Sequence, residues 1–300
     1  MLGGMRDQTV VDPAAASSAN PSAADWAAAR GEKWRAQRHG MEATLRPINE
    51  PILSALALTA PLRIADLGCG GGDTARAILR GAPAGSEVCG FDIAAGLIAD
   101  ARREIPAGEQ ALSFAVADLA TAQPPAPFDR LVSRFGLMFF DDPPAAFANL
   151  RRWLQPRGRF AFAVWGRPAD NAWFQVVRDV VGQHVALPAA DPDAPGPFRY
   201  GDAERLLALL AGAGFAELAL HTWTGRLPIG GGLGADAAAE FALAAFSSFG
   251  ELLAKAGDDA LQEATRDLGD RLRPHEQSGR VHMAACVHIV TGSRGLLDEG

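Results

Sequence analysis

Cysteine is scarce: Cys69, Cys89 and Cys286 are the only three in 300 residues. Their spacing contains no Cys-x-x-Cys, which excludes a zinc framework of that kind, and so few thiols build no disulfide scaffold. A reducing cytoplasm is the simplest setting for such a chain. An excess of basic charge is also missing. There are 28 Lys and Arg against 35 Asp and Glu, a net charge of −7. A dedicated nucleic-acid binder needs a cationic face to meet phosphates, and none is indicated here. No apolar run is long enough for a transmembrane helix, so no membrane insertion is expected. Residues 1–21 lack a basic stretch followed by an apolar block, the pattern of a secretory leader, and their Ala, Ser and Pro content predicts a disordered tail. No internal repeat is visible.

What remains is ample for a large core. The apolar share is 48% and the charged share 21%, both ordinary for a soluble globular chain. The 33 Gly and 20 Pro carry no period, which excludes collagen and predicts a loop-rich molecule. Ser22 is placed to cap a first helix, with Asp25 in its first turn. Trp26, Trp34 and Met41 then fall among polar residues, so one or two amphipathic helices are expected to about Ala57. From Leu62 the pattern alternates. Short apolar strands at 63–67, 87–92, 112–117, 128–133 and 158–165 are separated by helical stretches. That alternation predicts a parallel, doubly wound sheet. The second half predicts helices over Ala172–Val185, Asp202–Ala213 and Ala235–Leu272, and strands over Phe215–Trp223 and Val281–Thr291.

The informative stretch is Asp66-Leu67-Gly68-Cys69-Gly70-Gly71-Gly72, between a strand and a helix. Glycine is needed where the backbone turns sharply and must approach a ligand. In an open parallel sheet, ligands bind beyond the carboxyl ends of the strands. Asp92 ends the second strand, 20 residues after Gly72, where a carboxylate can accept from both hydroxyls of a ribose. Asp118 follows the third strand and is placed to meet an adenine amino group. Two cofactors fit this pattern: a dinucleotide and S-adenosylmethionine. Asp66 and Asp73 would repel a pyrophosphate, and only one such glycine loop occurs, which favours S-adenosylmethionine.

The chain resembles the class I S-adenosylmethionine-dependent methyltransferases, within the bacterial small-molecule group related to the quinone C-methyltransferases. The resemblance is carried by residues 64–72 (IADLGCGGG), 90–93 (GFDI), 128–140 (FDRLVSRFGLMFF) and 154–160 (LQPRGRF), and it extends over about Trp26 to Arg294. It implies a Rossmann-like, seven-stranded, doubly wound α/β sheet with S-adenosylmethionine as cofactor. It also implies roles by position. Gly68, Cys69 and Gly70 would line the methionine end, with Asp66 near its ammonium. Asp92 would bind the ribose, Ile93 would pack on the adenine, and Asp118 and Leu119 would contact the ring. Ser133 and Arg134 would flank the methionine moiety, with Trp34 also on the cofactor side. Substrate would be lined by Arg38, His39, Phe135, Met138, Trp165, Asn171 and Trp173. One departure stands at Arg157, where a glycine is commoner; a type I turn, which Arg tolerates, is expected there.

Six histidines offer bases, but the sequence gives none of them a partner carboxylate at fixed spacing, so no catalytic base is named. Asp141-Asp142 before Pro143 reads as a helix cap. Arg134-Phe135-Gly136 stands where a catechol-type enzyme needs acidic metal ligands, so no metal is expected. The expected organisation is a tail at 1–21, a helical lid at 22–58 and a methyltransferase domain at 59–300, with cap insertions at about 167–200 and 228–280. The expected activity is methylation of an O, N or C atom of a small aromatic or apolar metabolite, with no nucleic-acid partner. Two other readings stay open. One is a cofactor-binding protein repurposed for a non-methylating reaction or a partner role, since a glycine loop reports binding rather than chemistry. The other is an NAD(P)-dependent oxidoreductase.

Overall fold

The computed structural model describes residues 30–189, 191–246 and 248–295. The expected tail at 1–21, and Ser22, Asp25 and Trp26 of the expected first helix, lie outside the described residues.

Two helices come first, α1 (Gly31–Leu45) and α2 (Asn49–Leu56), joined by a 3-10 turn. The alternating unit follows: β1 (Arg63–Leu67), α3 (Asp73–Gly81), β2 (Glu87–Asp92), α4 (Ala95–Arg103), β3 (Leu112–Val116), β4 (Phe128–Arg134), α5 (Pro143–Trp153) and β5 (Leu154–Trp165). The remainder is α6 (Ala172–His184), α7 (Ala203–Gly212), β6 (Ala216–Pro228), α8 (Ala235–Ala245), α9 (Phe249–Ala256), α10 (Asp258–Leu272), β7 (Glu276–Gln277) and β8 (Arg280–Ser293).

The sheet order is β3-β2-β1-β4-β5-β8-β6. β3 to β5 pair in parallel, as the alternation predicts. The last two strands depart from that pattern: β8 runs antiparallel to both β5 and β6. The strand count is corrected from seven to eight, because β7 adds a two-residue hairpin on β8. Chain order reverses between β1 and β4, which opens a crevice at their carboxyl ends. β1 and the end of β5 are buried along nearly every residue, as a sheet covered on both faces requires.

Three expectations are revised. The helix expected over 235–272 is three helices; its second break is Gly257, with φ +127°, a conformation that L side chains rarely adopt. β6 runs to Pro228 because its pairing with β8 continues to His282. Arg157 does not sit in a type I turn: its φ is +64°. Two steps on β4, Phe128 to Arg130, match five on β5, Leu154 to Arg159, and Arg157 lies in that bulge.

Side chains from α2 (Ile48 just before it, Ile52 and Leu56) join one core with Ile64, Phe128, Trp153, Phe160 and Phe162. The same core takes in Trp173 of α6 and Leu253 of α9. Among the described residues, no single helix is long and apolar enough to cross a membrane.

Candidate functional site

The glycine loop leaves β1 as a strand and enters α3 as a helix within five residues, 68–72. Gly68 has φ +67°, and a Cβ there would lie 2.6 Å from Gly136 Cα, so only glycine lets the loop pass the end of β4. Gly68 and Cys69 donate to Phe91 O at 2.8 and 3.0 Å, which ties the loop to β2. Asp92 then locks it: Oδ2 accepts from Gly70 N and Oδ1 from Ala94 N, both at 2.9 Å. Burial pushes the Asp92 carboxyl up, against the backbone donors of Ala94, Gly70 and Ile93 that hold it down. Ser133 Oγ donates to Leu67 O at 2.7 Å and accepts from Gly136 N at 3.3 Å, so it braces β1 against β4.

A cavity of about 820 Å³ opens above this loop. One part of its wall is Gly68, Cys69, Gly70, Asp92 and Ile93, with Asp118 and Leu119 beyond β3. Asp118 is fixed by accepting from Ala120 N at 2.9 Å and Thr121 Oγ1 at 3.2 Å. Trp34 of α1 closes over the loop: its indole nitrogen is 3.5 Å from where a Cβ on Gly70 would stand. Opposite charges also line the cavity, Glu42 of α1 and Arg134 of β4.

The other wall is aromatic. Phe135 and Trp165 stack at 4.3 Å and 13°. Trp165 meets Trp173 at 5.0 Å, and Trp173 meets Phe246 at 4.7 Å and Phe198 at 6.0 Å. All five, with Met138, face the cavity. Phe135 holds φ +66°, an uncommon conformation for a bulky residue, at the point where it leaves β4.

The structure thus brings together Trp34, Gly68, Cys69, Gly70, Asp92, Ile93, Asp118, Leu119, Arg134, Phe135, Met138, Trp165 and Trp173 around one space. Five expected residues do not line it. Asp66 is buried behind the loop, 1% exposed, with Oδ2 lacking a hydrogen-bond partner among the described residues. Burial raises its carboxyl to about 7; Arg134 and the Ala75 N–H oppose this, while Glu42 and Asp92 add to it. Ser133 is spent on the brace between β1 and β4. Arg38 pairs with Glu104 and lies against Gly71, where a Cβ would meet its side chain at 2.4 Å. His39 is exposed on α1, one residue on from Arg38 and on the solvent side. Asn171 is fully buried and fastens three segments: it donates to Arg167 O at 2.9 Å, and accepts from Cys286 N at 3.0 Å and Trp173 Nε1 at 3.2 Å.

Sequence reasoning missed Glu42, Phe246 and Phe249 as lining residues. Glu42 meets Arg134 from 92 positions away, a pairing no local pattern carries. None of the six histidines lines the cavity. His184 pairs with Asp267 at 2.9 Å and His288 with Thr222 Oγ1 at 3.1 Å, away from it.

A family model described as a methyltransferase domain matches residues 65–162. A demethylmenaquinone methyltransferase of Thermus thermophilus is 34% identical over 173 residues, covering 52% of this chain and 76% of that protein. A trans-aconitate 2-methyltransferase of Methylobacterium nodulans is 32% identical over 138 residues, covering 46% of this chain and 49% of that one. The crystal structure of the YcgJ protein of Bacillus subtilis superposes with a TM-score of 0.54 at 15% identity, covering 83% of this chain and 99% of that one, which shows the fold.

Proposed function

We infer the function from one premise: the chain belongs to the class I S-adenosylmethionine-dependent methyltransferases. We propose that its acceptor is an O, N or C atom of a small aromatic or apolar molecule. The observation that carries this reading is the shape of one cavity, walled on one side by the glycine loop and Asp92 and on the other by the stacked rings from Phe135 to Phe246.

The residues present fit the cofactor in three respects. The loop glycines leave a backbone cradle that a Cβ at Gly68 would fill. Asp92 sits at the end of β2 with Ile93, Leu97 and Leu119 beside it, a carboxylate for ribose hydroxyls next to an apolar slot for a flat base. Near Gly68 lie a buried carboxylate, Asp66, and a buried guanidinium, Arg134, each with one polar atom, Oδ2 and Nε, that has no hydrogen-bond partner among the described residues. When bound, S-adenosylmethionine supplies an electrophilic methyl group on a positively charged sulfur.

The task left to the protein is alignment and exclusion of water. Asp92, pinned by two backbone donors, gives the nucleoside a fixed anchor. The Phe135–Trp165 stack offers a rigid apolar face to an acceptor and displaces water from it. Aromatic faces also favour a cation held near them. The carboxylates on the wall are engaged: Glu42 with Arg134, Asp92 with Gly70 and Ala94, Asp118 with Ala120 and Thr121, and Asp191 with Asp193 N. No side chain is assigned as a base. The reading further takes residues 22–58 as a lid, 167–200 and 228–280 as a cap, and the reducing cytoplasm as the working place of three free thiols. The acidic net charge of −7 supports a small-molecule acceptor over nucleic acid.

Calorimetric titration of the purified chain with S-adenosylmethionine, S-adenosylhomocysteine and NAD(H) tests this. Micromolar binding of the two sulfur nucleosides is expected. Asp92→Ala is expected to weaken it about tenfold to a hundredfold, the scale of losing hydrogen bonds to a charged group. Binding of NAD(H) alone would overturn the reading. A substrate screen that reads S-adenosylhomocysteine as product then separates methyl transfer from a repurposed, non-methylating use of the same site.

A further inference from the structure

The charges that line the cavity are unevenly spent. Its four acids all have partners: Arg134 for Glu42, and backbone N–H groups for Asp92, Asp118 and Asp191. Two further bases are engaged as well: Lys33 meets Glu251 at 3.0 Å, and Arg199 donates to Phe140 O. The side chains of Arg30, Arg167 and Arg178 make no hydrogen bond or ion pair among the described residues. Every charge on the wall left uncommitted among these residues is therefore positive, in a chain whose net charge is −7.

Arg178 has neighbours that make it part of a receptor. It stands on α6, four residues after Phe174 and three after Gln175, and all three line the cavity. Residues three and four apart share one helix face, with Cβ atoms about 5–6 Å apart. The Gln175 side-chain amide also makes no hydrogen bond among the described residues. Thus α6 turns two unspent groups of N–H donors toward one space. Phe174 carries the aromatic wall to the same point: it meets Phe198 at 4.4 Å and Trp173 at 5.8 Å. Arg178 is exposed, so the wall ends here where the cavity meets water. A guanidinium presents a planar fork that matches two oxygens of one anion, and a Gln amide adds a further donor. We propose that Arg178 and Gln175 receive an anionic oxygen group on the acceptor, a carboxylate or a phosphate, while the acceptor's apolar body lies on Phe174 and Phe198. The acceptor is then an aromatic or apolar molecule with an acidic end. This rests on the methyltransferase reading above and names the class of acceptor within it.

The test uses two dyes built on the same rings. 8-Anilinonaphthalene-1-sulfonate carries an anionic group; N-phenyl-1-naphthylamine lacks it. The full chain and its variants are titrated with each by fluorescence, with S-adenosylhomocysteine present throughout. The wild type is expected to hold the sulfonate roughly tenfold or more tightly than the neutral dye, the scale of charge-assisted bonds to one group. Arg178→Met and Gln175→Leu are expected to lose much of that preference, Arg178→Met the more. Both are expected to bind the neutral dye within about twofold of wild type, which also shows that they are folded. Arg280→Met, which removes a guanidinium outside this cavity, is expected to keep the preference. 2-Naphthoate and 2-naphthyl phosphate, added as competitors, tell a carboxylate from a phosphate, and at least one is expected to displace the sulfonate. Four results would each overturn the proposal and leave the methyltransferase reading standing: equal binding of the two dyes by wild type, an undiminished preference in either α6 variant, the same loss in Arg280→Met, or displacement by neither competitor. Parallel loss of both dyes in the α6 variants would do so too, because side chains that only shape the pocket act on both alike. Failure of S-adenosylhomocysteine to bind, read beforehand by calorimetry, sinks the methyltransferase reading and this proposal with it.

Discussion

At the scale of single residues, folding strongly alters the chemistry of Asp66. Its carboxyl is raised to about 7, chiefly by burial, from 3.8. The folded chain therefore binds this proton more tightly than the unfolded chain between pH 4 and 7. Stability that depends on Asp66 is present below that window and is lost as pH rises through it. The ligand-free protein is expected to show a falling urea midpoint from pH 5 to pH 8, and Asp66→Asn a flatter one; parallel curves would remove Asp66 as the cause. Cofactor binding carries the opposite sign. A positively charged ligand favours the ionised acid, so calorimetric affinity for S-adenosylmethionine is expected to rise from pH 6 to pH 8 in wild type and to stay level in Asp66→Asn. The acid itself was legible in the sequence, because it stands just before the glycine loop. Its place behind the loop was not, since burial depends on what the ends of β1 and β4 pack against.

Elements show the same division between local and distant causes. β1 to β4 were legible because each is a short apolar run bounded by its own turn; of β5 only the apolar part, 158–165, was, since the strand starts at Leu154 directly after α5. The cap on α5 was legible too: Asp142 accepts from Ala145 N at 3.1 Å, as an Asp before Pro-Pro suggests. The break between α8 and α9 was not read, although Phe-Ser-Ser at 246–248 interrupts the Ala-rich run there. Phe246 meets Trp173 at 4.7 Å and Phe249 meets Phe174 at 5.8 Å, so part of the aromatic wall comes from the two sides of that break. Arg157 marks a third case. Its φ of +64° is imposed by a bulge where five residues of β5 match two steps of β4. A left-handed conformation costs a non-glycine residue about 1–2 kcal/mol, partly offset by the greater unfolded-state entropy of glycine. Arg157→Gly is therefore expected to stabilise the chain by about 0.5–1 kcal/mol in urea titrations. A loss of stability would mean that the Arg157 side chain contributes more than its backbone strain removes.

For the whole molecule, the question is whether the expected lid, sheet and cap respond as one body. Their apolar residues do not separate: Ile52 of α2, Ile64 of β1, Trp173 of α6 and Leu253 of α9 belong to one continuous core. The cavity is bounded by residues from all of these regions, Glu42 from α1, Gly68 from the loop and Phe246, which follows α8. A ligand in that cavity touches every part, so its binding energy should stabilise every part. At a hundred times its dissociation constant, S-adenosylhomocysteine adds about 2.7 kcal/mol to folding. For a domain of this order, that moves the melting temperature by roughly 5 °C or more. Calorimetric melting is expected to give one transition without ligand and one with it, displaced upward as a whole. Two transitions, of which only one moves, would show instead that the cap or the first helices melt on their own, and that the shared core does not couple them to the site.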